Sequence, residues 1–310
     1  MMELPPDAPS NTAYHLPVML RESVDALNIR PDGTYVDCTF GGGGHSREIL
    51  SQLGPEGRLV AFDRDADAIA NLPDDQRLIF VPHSFRFLYQ FLRFTGCIPV
   101  DGILADLGIS SHQIDQAERG FAHRYDADLD MRMDRHATLH AGTVVNQYPE
   151  ESLVRIFRNY GEISNAAKLA SRIIDTRRQH PIRSTGALCE VLSTCTSAHT
   201  RNKYFSQVFQ AIRMEVNGEL LALETMLEQG AEVLRPGGRL VVISYHSLED
   251  RMVKHFLASG NMEGTRETDL YGNTQRPFDP VQNRAQMPGE EEINANRRAR
   301  SAKMRVGIKR

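Results

Sequence analysis

The chain of 310 residues has no tryptophan and only four cysteines, Cys38, Cys97, Cys189 and Cys195. The cysteines form no Cys-x-x-Cys pair and have no histidine at metal-ligand spacing. That argues against a disulfide-built secreted scaffold and a structural zinc module, and for a reduced cytosolic protein without metal. No apolar run approaches the ~18 residues of a membrane span. The first ten residues are polar and proline-rich, unlike a signal peptide. A strong charge of one sign is missing too: the formal net charge is -4, so local rather than total charge must decide any nucleic-acid role. The expectation is a soluble, cytoplasmic protein with no membrane partner. With 41% hydrophobic and 25% charged residues, the chain can fold as one large domain or as a core domain carrying a smaller one.

What is present is organised around the stretch DCTFGGGGHS at residues 37–46. It follows a short extended segment at 34–36 and precedes an amphipathic run at 47–53, so it reads as strand, glycine-rich turn and helix. Four consecutive glycines let a ligand approach the backbone closely. A dinucleotide fingerprint does not fit, because counting from Gly41 and Gly43 the closing position is Ser46. The order Asp-x-Thr-x-Gly-x-Gly instead resembles the first motif of S-adenosylmethionine methyltransferases.

Further strands are expected at 58–63, 77–81, 100–108 and 239–244, with a last one near 304–308. Asp63 ends the second, where an acid can accept hydrogen bonds from both ribose hydroxyls of an adenosine or simply cap a helix. Phe85 follows the third and either flanks an adenine or packs in the core. Asp106 ends the fourth, a nearly continuous apolar run of the kind buried on both faces. Ligands of open α/β sheets bind outside such carboxyl ends. The fifth should lie beside the fourth and bring His246 toward Asp106.

From about residue 112 to 212 the pattern turns helical, with helices expected from 150, stopped by Gly161, and at 166–179, capped by Asn165. This insertion is basic: Lys168, Arg172, Arg177, Arg178, Arg183, Arg201, Lys203 and Arg213 face only Asp175 and Glu190. It is either a phosphate-binding surface or a solvated helical face. Residues 260–293 read as a long, partly ordered loop, and the tail from Arg297 is basic.

Together these blocks resemble the bacterial 16S ribosomal RNA cytosine-N4 methyltransferases, the MraW family. The matching segments are HLPV (15–18), DCTFGGGGHS (37–46), FDRD (62–65), DGILADLGISS (101–111), RGF (119–121), LDMRMD (129–134), FQAIR (209–213), SYHSLEDR (244–251) and RARSAK (298–303). The sequence departs from the family pattern at His112, at Ala122-His123 and at Tyr245, where the family usually has Pro, a Ser-Phe-like pair and Phe. A second family acid is missing around 161–164.

The resemblance implies a Rossmann-like, doubly wound methyltransferase sheet at residues 1–112 and 213–310, with an inserted, mainly helical substrate-recognition domain at 113–212. It implies S-adenosylmethionine as cofactor, held by Gly43, Gly44, His45, Asp63, Phe85, Asp106 and Gln113. Asp106 and His246 are the catalytic candidates, His246 alternatively capping a strand end. Asp130, Arg132 and Asp134 read a cytosine edge or form an internal salt-bridge cluster. The implied partner is 16S rRNA in the small ribosomal subunit, and a homodimer is compatible. Competing readings are a methyltransferase of DNA or protein, and a binding-only assembly factor; a nicotinamide oxidoreductase fits the turn least.

Overall fold

The computed structural model describes residues 17–269, 272 and 274–310. The proline-rich tail at 1–10, and His15 and Leu16 of the HLPV block, lie outside the described residues. Seven strands form one sheet among those described: β1 (Thr34–Asp37), β2 (Arg58–Phe62), β3 (Leu78–Val81), β4 (Val100–Asp106), β5 (Leu234–Ser244), β6 (Phe278–Pro280) and β7 (Lys303–Lys309). Their order is β3-β2-β1-β4-β5-β7-β6. The first five pair in parallel with one another, and β7 is antiparallel to both β5 and β6. Sequence order reverses between β1 and β4, the switch point where a doubly wound sheet opens a crevice. The expected Rossmann-like sheet is therefore present.

The helices are α1 (Leu20–Leu27), α2 (Gly44–Gln52), α3 (Leu88–Phe94), α4 (Ser111–Asp115), α5 (Ala141–Gln147), α6 (Glu150–Asn159), α7 (Ala166–Gln179), α8 (Thr185–Ser193), α9 (Arg201–Asn217), α10 (Glu219–Val233), α11 (Ser247–Ser259) and α12 (Glu290–Ala295). Strand β4 shows why both faces of the sheet are covered. Its side chains alternate, so Ile103 and Ala105 join Val36, Val60 and Val242 beneath α3, α10 and α11, whereas Leu104 joins Tyr35, Leu59 and Val241 against α1 and α2. Burying each Leu- or Ile-sized side chain stabilises by about 1.5–3 kcal/mol.

Between β4 and β5 the chain builds a second apolar core. Leu153, Ile156 and Phe157 of α6, Leu169 and Ile173 of α7, and Val208, Phe209 and Ile212 of α9 pack together with Leu129 and Met131. The spacing of the α7 positions is helical, as expected. Helix α10 then rejoins the sheet, contributing Leu223, Met226 and Leu227. The break between α9 and α10 is Gly218, whose φ of 57° an L side chain rarely adopts.

Two local expectations need correction. Asn165 sits at the start of α7 without capping it; its amide donates to the Cys195 carbonyl and accepts from the Tyr204 hydroxyl, both at 2.9 Å, tying α7 to α9. Residues 260–293 hold more structure than a loop, because β6 adds to the sheet through β7 and α12 begins at Glu290.

Candidate active site

The glycine turn is braced from inside. Asp37 Oδ1 accepts the Thr39 N–H at 2.9 Å and Oδ2 accepts the Ser46 hydroxyl at 2.6 Å. The acid that opens the motif is thus consumed in holding β1 to the start of α2, and Thr39 Oγ1 accepts the backbone N–H of Asp106 at 2.8 Å. Gly41 and Gly43 take φ of 51° and 74°, which explains two of the four glycines. Gly44 opens α2, and a Cβ there would run into Pro17. His45 is buried, with Nε2 3.2 Å from the Val18 carbonyl.

Asp63 lies just past β2 and closes on this turn. Its Oδ2 accepts the Gly41 N–H at 2.7 Å and its Oδ1 accepts the Asp65 N–H at 2.8 Å. Burial pushes its carboxyl up to about 6 against those two backbone donors. Each oxygen keeps a further lone pair, so ribose hydroxyls can still be accepted. Gln113 completes a capping box with Ser110 at α4 and donates to Asp65 Oδ2 at 2.7 Å, where Arg119 also pairs at 3.0 Å. The adjoining Arg64 donates to the Asn217 carbonyl at 2.8 Å, so the tip of β2 is joined to the end of α9. Phe85 starts the 3-10 turn Phe85–Phe87 and, partly buried, packs against the sheet core.

Asp106 ends β4, across the switch point. Burial raises its carboxyl to about 6, while the His45 imidazole and a hydrogen bond from Tyr245 act in the opposite direction. The Tyr245 hydroxyl donates to Asp106 Oδ1 at 2.7 Å. His246, the expected neighbour, follows β5 as anticipated, but its imidazole is engaged elsewhere. It caps α11 through a long contact of 3.5 Å to the Glu249 N–H. Its Nε2 lies 3.0 Å from Glu249 Oε1, off the line of a good hydrogen bond. Burial pushes Glu249 up, yet His246, the Tyr245 N–H and Arg213 outweigh it and leave the carboxyl below its ordinary range.

Glu219, His246 and Glu249 present ligand atoms within 4.8 Å of one another. Arg213 already takes both Glu219 oxygens, at 2.8 and 2.9 Å, so the group is an ion cluster with its own cation. Sequence reading placed Arg213 on the basic surface and missed Glu219 and Glu249; the short spacing from Arg213 to Glu219 was the available signal. A cavity of about 360 Å³ lined by Glu22, Asp25, Arg239 and Arg284 contains none of these site residues.

The family model described as the MraW methylase family matches residues 12–310. The chain belongs to the MraW methylase family. Among relatives named ribosomal RNA small subunit methyltransferase H, that of Flavobacterium johnsoniae is 53% identical over 296 residues, covering 96% of this chain and 98% of the relative. That of Bacteroides thetaiotaomicron is 53% identical over 297 residues with the same coverage. That of Cytophaga hutchinsonii is 53% identical over 295 residues, covering 94% of this chain and 98% of the relative.

The basic surface of this MraW methylase is smaller than its sequence suggests. Lys168, Arg172, Arg178, Arg183, Arg201 and Lys203 are exposed or half-buried, but Arg177 donates to the Val145 carbonyl at 2.8 Å and Arg213 is the partner of Glu219. In the tail, Arg298 pairs with Asp115 at 2.8 Å, Lys303 and Arg305 both pair with Asp250, and Arg310 pairs with Asp279. In the LDMRMD block Arg132 pairs with Asp130 at 2.7 Å and donates to the carbonyls of Arg135 and Ala137, which favours the internal cluster over base reading. No helix among the described residues is long and apolar enough to cross a membrane.

Proposed function

We propose that this MraW methylase transfers a methyl group from S-adenosylmethionine to the exocyclic N4 of a cytosine in the decoding region of 16S rRNA, acting on the small ribosomal subunit in the cytoplasm. The observation that carries the reading is the pairing of two acids about one turn: Asp63 bonded to Gly41, and Asp106 tied through Thr39 to the same loop. This donor set fits the cofactor. Gly43, Gly44 and His45 would hold its methionyl end, and Asp63 with Phe85 its adenosine; Gln113 acts by fixing Asp65. When bound, the cofactor supplies an electrophilic methyl on a sulfonium.

The protein's own task is to place the nucleophile in line behind that methyl and exclude water. Cytosine N4 shares its lone pair with the ring, so an acceptor that fixes the amino group raises its reactivity. Asp106 is placed for that role. After transfer the nitrogen is strongly acidic, so a weak base such as His246 suffices to take its proton. Residues 113–212 serve as the substrate-recognition unit, with Lys168, Arg172, Arg183 and Lys203 meeting phosphate. A base inside folded RNA must be turned out of its stack to reach the crevice.

The test is incubation of labelled S-adenosylmethionine with unmodified small subunits, followed by nucleoside analysis. N4-methylcytidine is expected. Label on another base or on protein would overturn the assignment.

A further inference from the structure

The acid at the tip of β4 has a hydroxyl partner that the family resemblance does not supply, since Phe usually stands where this chain has Tyr245. The phenol lies over the sheet's carboxyl end; the Tyr245 backbone N–H donates to Glu249 Oε2 at 3.1 Å and the hydroxyl to Asp106 Oδ1 at 2.7 Å. The ring packs partly on the core formed by Leu104, Ile243 and Met304. Asp106 Oδ2 has no protein partner among the described residues. The carboxylate is thus fixed at one oxygen and open at the other.

We propose that Tyr245 is a positioning residue, whose hydroxyl aims Asp106 so that Oδ2 alone receives the cationic amino group of the bound S-adenosylmethionine. The inference rests on the functional reading above. A carboxylate held at one oxygen by a rigid aromatic donor loses its rotational freedom before the ligand arrives, so the ordering cost is not met at binding. The same hydrogen bond favours the ionised acid. Burial and the neighbouring Asp106 carboxylate keep the phenol well above its ordinary range, so it remains a donor at every working pH. The other groups acting on this pair are His45 from α2, Asp37 from β1, Glu249 from α11 and Glu292 from α12. None of them replaces the hydroxyl: Asp37, Glu249 and Glu292 are carboxylates with no hydrogen to donate, and the His45 Nε2 faces the Val18 carbonyl.

Tyr245→Phe keeps the ring and its packing and removes the hydroxyl alone. Two measurements on the full-length protein decide the matter. In protein labelled with γ-¹³C aspartate, with the Asp106 signal assigned by Asp106→Asn, the carboxyl midpoint should rise by about one unit in the variant. In calorimetric titration with S-adenosylmethionine, a one-unit rise lowers affinity about fivefold at pH 6 and leaves it near wild type at pH 8.5. An unmoved midpoint, or the same loss at both pH values, would overturn the proposal, because a purely structural tyrosine acts without regard to pH. If neither protein binds S-adenosylmethionine at any pH, the cofactor reading fails. The carboxyl titration then still decides whether Tyr245 governs Asp106.

Discussion

Asp63 accepts the Gly41 N–H at 2.7 Å, so the acid at the tip of β2 and the first left-handed glycine of the turn behave as one unit. Asp63→Ala leaves the N–H groups of half-buried Gly41 and buried Asp65 without their acceptor, at up to about 1–3 kcal/mol for the buried one. Asp63→Asn keeps one acceptor oxygen, so it should lose less stability while still binding S-adenosylmethionine about tenfold more weakly. Urea unfolding and calorimetry on both variants separate the two losses; an asparagine variant with wild-type affinity would remove Asp63 from the ribose site.

The raised carboxyls of Asp63 and Asp106, each near 6, set a direction for the pH dependence of stability. An acid whose folded value exceeds its unfolded value holds its proton more tightly when folded. The fold is therefore penalised above about pH 6, where both states are ionised, and the penalty fades as pH falls toward about 4. Asp106→Asn should stabilise the protein by about 1–3 kcal/mol at pH 8, a gain that vanishes near pH 4. Denaturant midpoints at the two pH values check the sign.

The bidentate pair between Arg213 and Glu219 is nearly enclosed, with side chains 12% and 8% exposed. Removing either partner alone should cost about 3 kcal/mol or more, because it strands the other charge. The double variant Arg213→Met, Glu219→Leu should lose less than the sum of the two single changes. Unfolding measurements around this cycle give the coupling, and strict additivity would show that the pair is not one unit.

His246 caps α11 and sits against Glu249, so alanine would disturb both. His246→Asn retains a capping side chain and removes the titratable ring. If the imidazole accepts the departing proton, this variant should keep S-adenosylmethionine affinity within about twofold and lose at least about a hundredfold in turnover. Wild-type turnover would leave His246 a structural cap.

Charge reversal is best aimed at Lys168 and Arg172, one turn apart on α7 and both open to solvent, rather than at Arg177, whose guanidinium holds the Val145 carbonyl. Lys168→Glu with Arg172→Glu should weaken RNA binding about tenfold or more and flatten its salt dependence by about 0.7 for each phosphate no longer neutralised. Affinity for S-adenosylmethionine should not change. Equal weakening of both would point to damaged folding.

Periodicity exposed the sheet strands and the helices of the insertion because burial on one face or both leaves a regular apolar trace, as in β4 and α7. The glycine turn was legible because its backbone demands leave few residue choices. Side-chain partners left no such trace. Nothing local in the sequence distinguishes Asp37, which braces the turn from within, from Asp63, which closes on it from the tip of β2. Which of Tyr245 and His246 reaches Asp106 depends on how the chain leaves β5, and a one-residue step there exchanges them. The extent of the basic surface was hidden for the same reason, since Asp115, Asp250 and Asp279 are far in sequence from several of the cations they neutralise.

The neighbour of β4 on its far side is β5, which begins at Leu234. During synthesis that edge of an almost wholly apolar strand therefore stays bare while residues 107–233 are made, a template for wrong pairing. The intervening helices form their own core from contacts within that stretch and can collapse before β5 emerges. Because that core closes within the insertion, its apolar side chains need not stay exposed while β4 waits for β5.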